Sequence, residues 1–329
     1  MNHSNDRSVS LGVVMDPIAE INPLKDTTLC LLEAAQRKGW QLYYFEPKDL
    51  HLYRGQARGH ARNLKVFLDQ NHWFEVSASK DIDLSELDVI LMRADPPVDT
   101  EFLYTCHILT FAERAGTLVY NPPRSLLSVN EKILAQEFAD LGPPTLVGNS
   151  LDDLLNFLEL HPQAVVKPLN EMGGASVCRI NRSDDDVSQV LKTMLCDGQK
   201  TLLIQELIPN YSDGDKRVLL IDGTPVPYGL NRVPQQGEFR ANLAAGGKGV
   251  AVALNDHDYR VCERIAPRLQ ELDLLFVGVD LVAGYLTEIN ITSPTCVREI
   301  NQAYALDIGT DVINAIEKRL MSQVEAVEK

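Results

Sequence analysis

Apolar positions along the chain fall into short continuous runs alternating with longer stretches of helical period. After a polar start, Leu11–Met15 is a run of the length and continuity of a strand buried on both faces. Thr27–Lys38 then repeats apolar residues at helical spacing, with Leu31, Leu32 and Ala35 on one side and Gly39 placed as a C-terminal cap. Trp40–Phe45 is the next strand, and Val89–Met92, a helix near Glu101–Ala115 and a strand at Thr117–Tyr120 continue the alternation. Strands that alternate with helices predict a parallel sheet in an α/β domain. Asp95-Pro96-Pro97-Val98-Asp99 makes a rigid loop just past a strand end, where open α/β sheets bind ligands. No G-x-G-x-x-G follows the first strand, which removes a dinucleotide reading.

Asn121-Pro122-Pro123 marks a boundary. Beyond it come a short helix at Asn130–Leu134 and a strand, Ala164–Pro168, that carries Lys167 near its end. A glycine turn, Met172–Ser176, leads to the returning strand Ser176–Ile180, a helix near Asp185–Leu195 and the strand Thr201–Glu206. Pro209–Asp215 links to a third region that begins with Lys216–Leu220 and a hairpin turn at Asp222-Gly223. A loop flanked by Arg232 and Arg240 runs on through the Gly-rich Ala244–Gly249. The helix from Asp256 carries Val261, Ile265 and Leu269 on one face, with a kink expected at Pro267. Two strands, Leu274–Val282 and Leu286–Ile291, precede a C-terminal amphipathic helix with Val312, Ile313, Ile316 and Leu320. The divisions expected are a polar tail at 1–10, an N-terminal α/β domain at 11–122, a central unit at 123–208 and a C-terminal unit at 209–329.

Composition narrows the classes. With 45% hydrophobic and 23% charged residues the chain reads as an ordinary globular protein. A formal charge of −15 argues against non-specific nucleic-acid binding, although local arginine clusters still suit an anionic substrate. Six scattered cysteines without a C-x-x-C read as free thiols of a reducing cytoplasm. Seven histidines form no zinc pattern. Met1–Ser10 lacks an apolar core and no run approaches 18 residues, so neither a signal peptide nor a membrane span is expected.

Candidate chemistry concentrates near the C-terminus. Glu288 and Asn290 share one face of a strand and offer hard oxygen ligands to a divalent cation, and Asp280 sits inside the preceding apolar run, where an acid needs compensation. An E-x-N motif taken alone is more often an edge strand with a solvated face. A three-residue turn, Ala283-Gly284-Tyr285, would set Val282 opposite Leu286 and Asp280 opposite Glu288, whereas a two-residue turn would send the acids to opposite faces. In a metal-free cluster, neutralising either acid should relieve repulsion. Lys167 beside the glycine turn suggests a phosphate contact, or a lysine that merely ends a strand. Arg217, Arg232, Arg240 and Arg298 suit a substrate with several carboxylates, or scattered surface ion pairs. Cys296 has no histidine nearby and reads as packing.

The motifs together carry a resemblance. Asn130-Glu131-Lys132, Val166–Leu169 with Met172–Ser176, Asp213–Val218, Asn242–Gly247 and Thr287–Cys296 resemble bacterial glutathione synthetases of the ATP-grasp superfamily. Val14–Ile18, Asp95–Pro97 and Asp99–Phe102 match the same family, so the likeness runs in order from about Leu11 to Leu320. It implies an ATP-grasp fold: an N-terminal Rossmann-like domain, a central α+β lid domain and a C-terminal α+β domain. The implied activity is ligation of γ-glutamylcysteine to glycine through an acyl-phosphate, with ATP cleaved to ADP and phosphate.

The resemblance also implies roles. Lys132, Lys167 and the Gly173-Gly174-Ala175-Ser176 turn would contact the phosphates of ATP. Gln205, Glu206, Leu207 and Ile208 would hold its adenine, with Asp215 also on the nucleotide. Asp280, Glu288 and Asn290 would bind magnesium, with manganese as an alternative. Arg217, Arg232, Arg240, Ser293 and Thr295 would grip the peptide and acyl-phosphate. A cytoplasmic homo-oligomer, dimer or tetramer, is expected. Three positions depart from the family pattern: Asn170-Glu171 for Asp-Gly, Ala241 for Gly, and Ala94 for Lys. A different ATP-grasp carboxylate–amine ligase acting on another acidic peptide, and a nucleotide-binding module without catalysis, are the alternatives.

Overall fold

The computed structural model describes residues 8–171, 176–235 and 248–327. Gly173, Gly174, Ala175, Arg240 and Ala241 lie outside the described residues. The first sheet is built from β1 (Ser10–Val14), β2 (Gln41–Phe45), β3 (Leu50–Tyr53), β4 (Gln56–Val66), β5 (Phe74–Val76), β6 (Lys80–Asp83), β7 (Val89–Met92) and β8 (Leu118–Tyr120), in the order β3-β4-β2-β1-β7-β8, with β5 and β6 also on β4. The β2-β1-β7-β8 core is parallel, and β1 and β7 are buried along their whole length, which explains their unbroken apolar runs. Helices α1 (Thr27–Arg37) and α2 (Thr100–Arg114) begin on capping aspartates: Asp26 accepts from Leu29 N at 2.5 Å and Asp99 from Phe102 N at 2.9 Å. Sequence periodicity gave no sign of β3–β6. The inward positions of β4 include Ala57, Gly59 and Ala61, too small to register as apolar alternation, and a Cβ at Gly59 would come within 2.8 Å of Phe45.

The middle of the chain forms α3 (Pro123–Ser128), α4 (Glu131–Leu134), β9 (Thr145–Gly148), α5 (Leu151–Leu160), β10 (Gln163–Pro168), β11 (Cys178–Asn181), α6 (Val187–Met194) and β12 (Leu202–Glu206). Its sheet runs β11-β10-β12-β9. Leu154, Leu158 and Leu191 from the helices pack on Ala164, Val166 and Ile204. The alternation of β10 therefore turns Val165 and Lys167 to the other face.

The third sheet is antiparallel: β13 (Asp215–Ile221), β14 (Thr224–Val233), β15 (Lys248–Ala253), β16 (Phe276–Val282) and β17 (Tyr285–Asn290), in the order β15-β14-β13-β16-β17. Asp222 and Gly223 turn the first hairpin with φ of 50° and 78°. Helix α7 (Asp256–Glu271) runs through Pro267, and α8 (Val297–Tyr304) and α9 (Ile308–Val327) close the chain. Val312, Ile313 and Ile316 of α9 share a core with Leu11, Val13, Leu29 and Leu32, so the last helix seals the first sheet.

The β16–β17 register corrects the expected turn while keeping its consequence. The turn is the two-residue Ala283-Gly284, both with positive φ (47° and 87°), and Val282 stands opposite Tyr285. A bulge follows, because Leu281 faces Leu286 but Asp280 faces Glu288, which leaves Thr287 as the extra residue. The buried Thr287 hydroxyl donates to Asp280 O at 3.2 Å. Asp280, Glu288 and Asn290 consequently share one face, through a bulge and not through a longer turn.

Candidate functional site

That face forms one wall of a cavity of about 420 Å³, and the loop after β7 forms part of another. Asp280 is 4% exposed, and both its oxygens are engaged. Arg217 on β13 donates from Nε to Oδ1 at 2.5 Å and from Nη2 to Oδ2 at 3.0 Å, while Arg232 on β14 places Nη2 2.9 Å from Oδ1. Burial alone would push the Asp280 carboxyl up; the two guanidiniums overcome it and hold the group well below the usual carboxylate range. Asp215 Oδ2 lies 2.7 Å from the same Arg232 nitrogen, and Asp215 Oδ1 is buried without a hydrogen-bond partner. Burial pushes the Asp215 carboxyl up despite Arg232. Gly278 makes room for the cluster: a Cβ there would lie 2.9 Å from Arg217 Cδ and 3.1 Å from Pro294 Cβ. Asn290 Nδ2 donates to Asp280 Oδ2 and Gly278 O, each at 3.2 Å.

The lysines meet this wall from the central unit. Lys132, 5% exposed, has its Nζ 3.1 Å from Glu288 Oε1 and donates to Glu171 O at 2.7 Å. Lys167 donates to Gln205 Oε1 at 3.3 Å; burial pushes its ammonium below the ordinary lysine range against the pull of Glu288. Gln205 is buried and donates onward to Thr145 Oγ1 at 3.1 Å. Glu206 sits half-exposed, 3.5 Å from His161 Nδ1, with Leu207 half-buried and Ile208 buried behind it. Ser176 borders a separate cavity between α6 and the end of β10. The backbone of Glu171 avoids the left-handed region, so this position has no need of glycine. Ala94 is packed in the core at 4% exposure.

Ser293 and Thr295 line the cavity, with Ser293 in contact with Asp95. Two expectations about nearby residues are settled. Arg298 turns away, donating to Asp26 O and Glu33 Oε1 at 3.0 Å each, and so ties α8 to α1 and is absent from the cavity lining. Cys296 is 1% exposed and packed, its thiol pushed up by burial. The acidic residues that sequence reasoning left out of the site are Asp26, Asp95, Glu131 and Glu299, and Asn22, Lys25 and Thr292 join them in lining the cavity. Asp95 and Glu131 stood inside quoted motifs, which was the available signal; Asp26 and Glu299 carried none beyond a helix-start position.

Asp280, Glu288 and Asn290 bring two carboxylates and a carboxamide to one face, the hard-oxygen groups a divalent cation takes, with Asp280 held by Arg217 and Arg232 and Asn290 donating to it. Among the described residues no three His, Cys, Asp or Glu cluster as a metal group. Flanking lysines and arginines add positive charge of the kind that polyphosphate binding requires.

Residues 9–126 match the family of prokaryotic glutathione synthetase N-terminal domains, and residues 131–305 match that of prokaryotic glutathione synthetase ATP-grasp domains. The chain is 50% identical to the glutathione synthetase of Pseudomonas aeruginosa over 316 residues, covering 96% of this chain and 100% of that one. It is 46% identical to the glutathione synthetase of Escherichia coli K12 over 315 residues, covering 96% and 100%. Among solved structures, D-cycloserine synthetase DcsG superimposes with a TM-score of 0.68 at 17% identity, over 94% of this chain and 99% of that one. The ATP-grasp ligase PsnB, complexed with minimal precursor, Mg and ADP, gives 0.59 at 16% identity over 96% and 98%. The fold is that of the ATP-grasp ligases.

Proposed function

The chain belongs to the prokaryotic glutathione synthetase family, and from that premise we propose how its residues divide the work. It is an ATP-dependent ligase that forms glutathione from γ-glutamylcysteine and glycine, using ATP with a divalent metal ion. The observation that carries the assignment of roles is the convergence of Lys132, Glu288, Asp280, Arg217 and Arg232 on one wall. In this reading residues 11–122, 123–208 and 209–329 act as three units, with ATP between the second and third. Lys132 and Lys167 take the phosphates, and Gln205–Ile208 and Asp215 take the nucleoside.

Asp280, Glu288 and Asn290 would hold magnesium or manganese. When bound, the metal neutralises phosphate charge and orients the γ-phosphoryl group. A carboxylate is a poor electrophile. Its oxygen therefore attacks the γ-phosphorus and ADP leaves with the electrons of the broken P–O bond. The amine of glycine then attacks the acyl carbon and loses a proton, and phosphate departs with the substrate's oxygen. Arg217, Arg232 and Arg240 supply positive charge to the carboxylate and to the acyl-phosphate, and Ser293 and Thr295 supply hydroxyl contacts. All six cysteines are free, which fits the cytoplasmic location we propose; among the described residues no helix is long and apolar enough to cross a membrane.

Phosphate release should require γ-glutamylcysteine and glycine together, and mass spectrometry should find the tripeptide. Equal release without glycine, and no tripeptide, would sink the ligase reading.

The departure at Glu171 gives a second expectation. Since its backbone lies outside the left-handed region, its charge is the feature that opposes the triphosphate in this reading. Glu171→Gly and Glu171→Gln should therefore lower the KM for ATP alike, by about threefold to tenfold, the scale of one partly screened charge. An improvement confined to the glycine variant would show that backbone freedom matters instead.

A further inference from the structure

Glu131, in the cavity lining, is tightly held. It is 8% exposed, and a single oxygen, Oε1, accepts three hydrogen bonds: from Ile291 N at 2.7 Å, from Thr292 N at 2.9 Å and from the Thr292 hydroxyl at 2.9 Å. The donors belong to the two residues that follow Asn290 and precede Ser293. The next residue along the chain from Glu131 is Lys132, whose Nζ lies 3.1 Å from Glu288. One buried carboxylate thus ties the phosphate-facing helix α4 to the exit of β17.

The same exit is gripped elsewhere. Asn121 Nδ2 donates to Ile291 O at 2.6 Å, so Ile291 is held through both its N–H and its carbonyl. Arg93 Nη2 donates to Pro294 O at 3.0 Å. The segment from Ile291 to Pro294 is therefore fixed by three buried polar side chains from outside the third sheet. A carboxylate in this place is costly, because burial and the like charge of Glu288 both oppose its ionised form. A contact serving only to pack the chain would not need one.

We propose that Glu131 is a positioning residue for the ligase reaction. By holding Ile291 and Thr292 it sets the Ser293–Thr295 turn in register with Lys132, and so sets the acyl-phosphate subsite against the phosphates of ATP. The proposal rests on the reading of Ser293–Thr295 as substrate contacts. It predicts a loss in turnover and not in nucleotide binding, since Lys132 keeps its own contacts.

Steady-state kinetics on the full chain test it. Glu131→Ala should lower kcat about a hundredfold, the scale of a misplacement near 1 Å, while the KM for ATP stays within about threefold. Glu131→Gln retains an acceptor oxygen and should recover kcat to within about tenfold of the wild type. Thr292→Val removes one donor and should lower kcat alone, but add nothing on the Glu131→Ala background. Should Glu131→Ala not fold, the same cycle is run with Glu131→Gln, where the remaining contact should still couple to Thr292. A kcat for Glu131→Ala within about threefold of wild type, or full additivity of the two changes, overturns the proposal. Absence of tripeptide from the wild type would instead overturn the functional reading beneath it.

Discussion

Asp280→Asn is expected to lower the denaturant midpoint of the protein as well as its turnover. The sequence alone suggests the opposite sign for stability, because neutralising one of two neighbouring acids relieves repulsion. The structure reverses it: Asp280 is the anion between Arg217 and Arg232, which are 6% and 4% exposed. Replacing its charge leaves two buried guanidiniums with, among the described residues, Asp215 to offset them. Breaking such a buried pair costs about 3–5 kcal/mol. Turnover should fall at least about a hundredfold, since both the proposed metal site and the orientation of two arginines depend on this carboxylate. Circular dichroism is the suitable probe, because Trp40 and Trp73, the two tryptophans, both sit in the first third of the chain. Arg232→Met in the Asp280→Asn background should restore part of the stability and none of the activity. An unchanged midpoint in Asp280→Asn would show that the cluster is solvated enough to tolerate the loss.

Glu288→Gln is expected to separate the two properties. Its side chain is 21% exposed, and among the described residues its ion pair is with Lys132, which keeps the Glu171 carbonyl as a second partner. The stability loss should therefore stay below that of Asp280→Asn, at about 1–3 kcal/mol. The amide retains an oxygen but not the charge that a divalent cation demands. Turnover should fall at least about a hundredfold, equivalent to the several kcal/mol that a metal contributes to phosphoryl transfer. Titration of the metal in the presence of ADP should show weakened binding in parallel. Full turnover in this variant would remove Glu288 from the metal site.

These two variants also show where the sequence was informative. The strands that carry chemistry were visible because they are apolar runs interrupted by single polar residues, as Asp280 is in β16. Fully buried β1 and β7 were visible for the same reason, and the end of α1 could be read from Gly39. The four strands between Leu50 and Asp83 were not visible, since small residues such as Ala57, Gly59 and Ala61 bury without an apolar signature. The bulge at Thr287 was hidden because a one-residue insertion leaves no mark in composition, only in the pairing partner. Electrostatics was the least legible layer. Arg217 and Arg298 look alike in the sequence, yet one closes on Asp280 in the cavity and the other on Glu33, away from it. Only the fold decides which guanidinium meets which acid.

Under the proposed function a substrate carboxylate is activated by phosphorylation among Lys132, Lys167, Arg217 and Arg232. The most direct test is to supply γ-glutamylcysteine with oxygen-18 in its cysteinyl carboxylate, together with ATP and unlabelled glycine, and to analyse the phosphate released. Because phosphate leaves with the substrate's oxygen, one labelled oxygen should appear in each phosphate formed per tripeptide. Tripeptide formation with unlabelled phosphate would mean that ATP is cleaved without passing its phosphoryl group to the carboxylate, and would contradict the account at its centre.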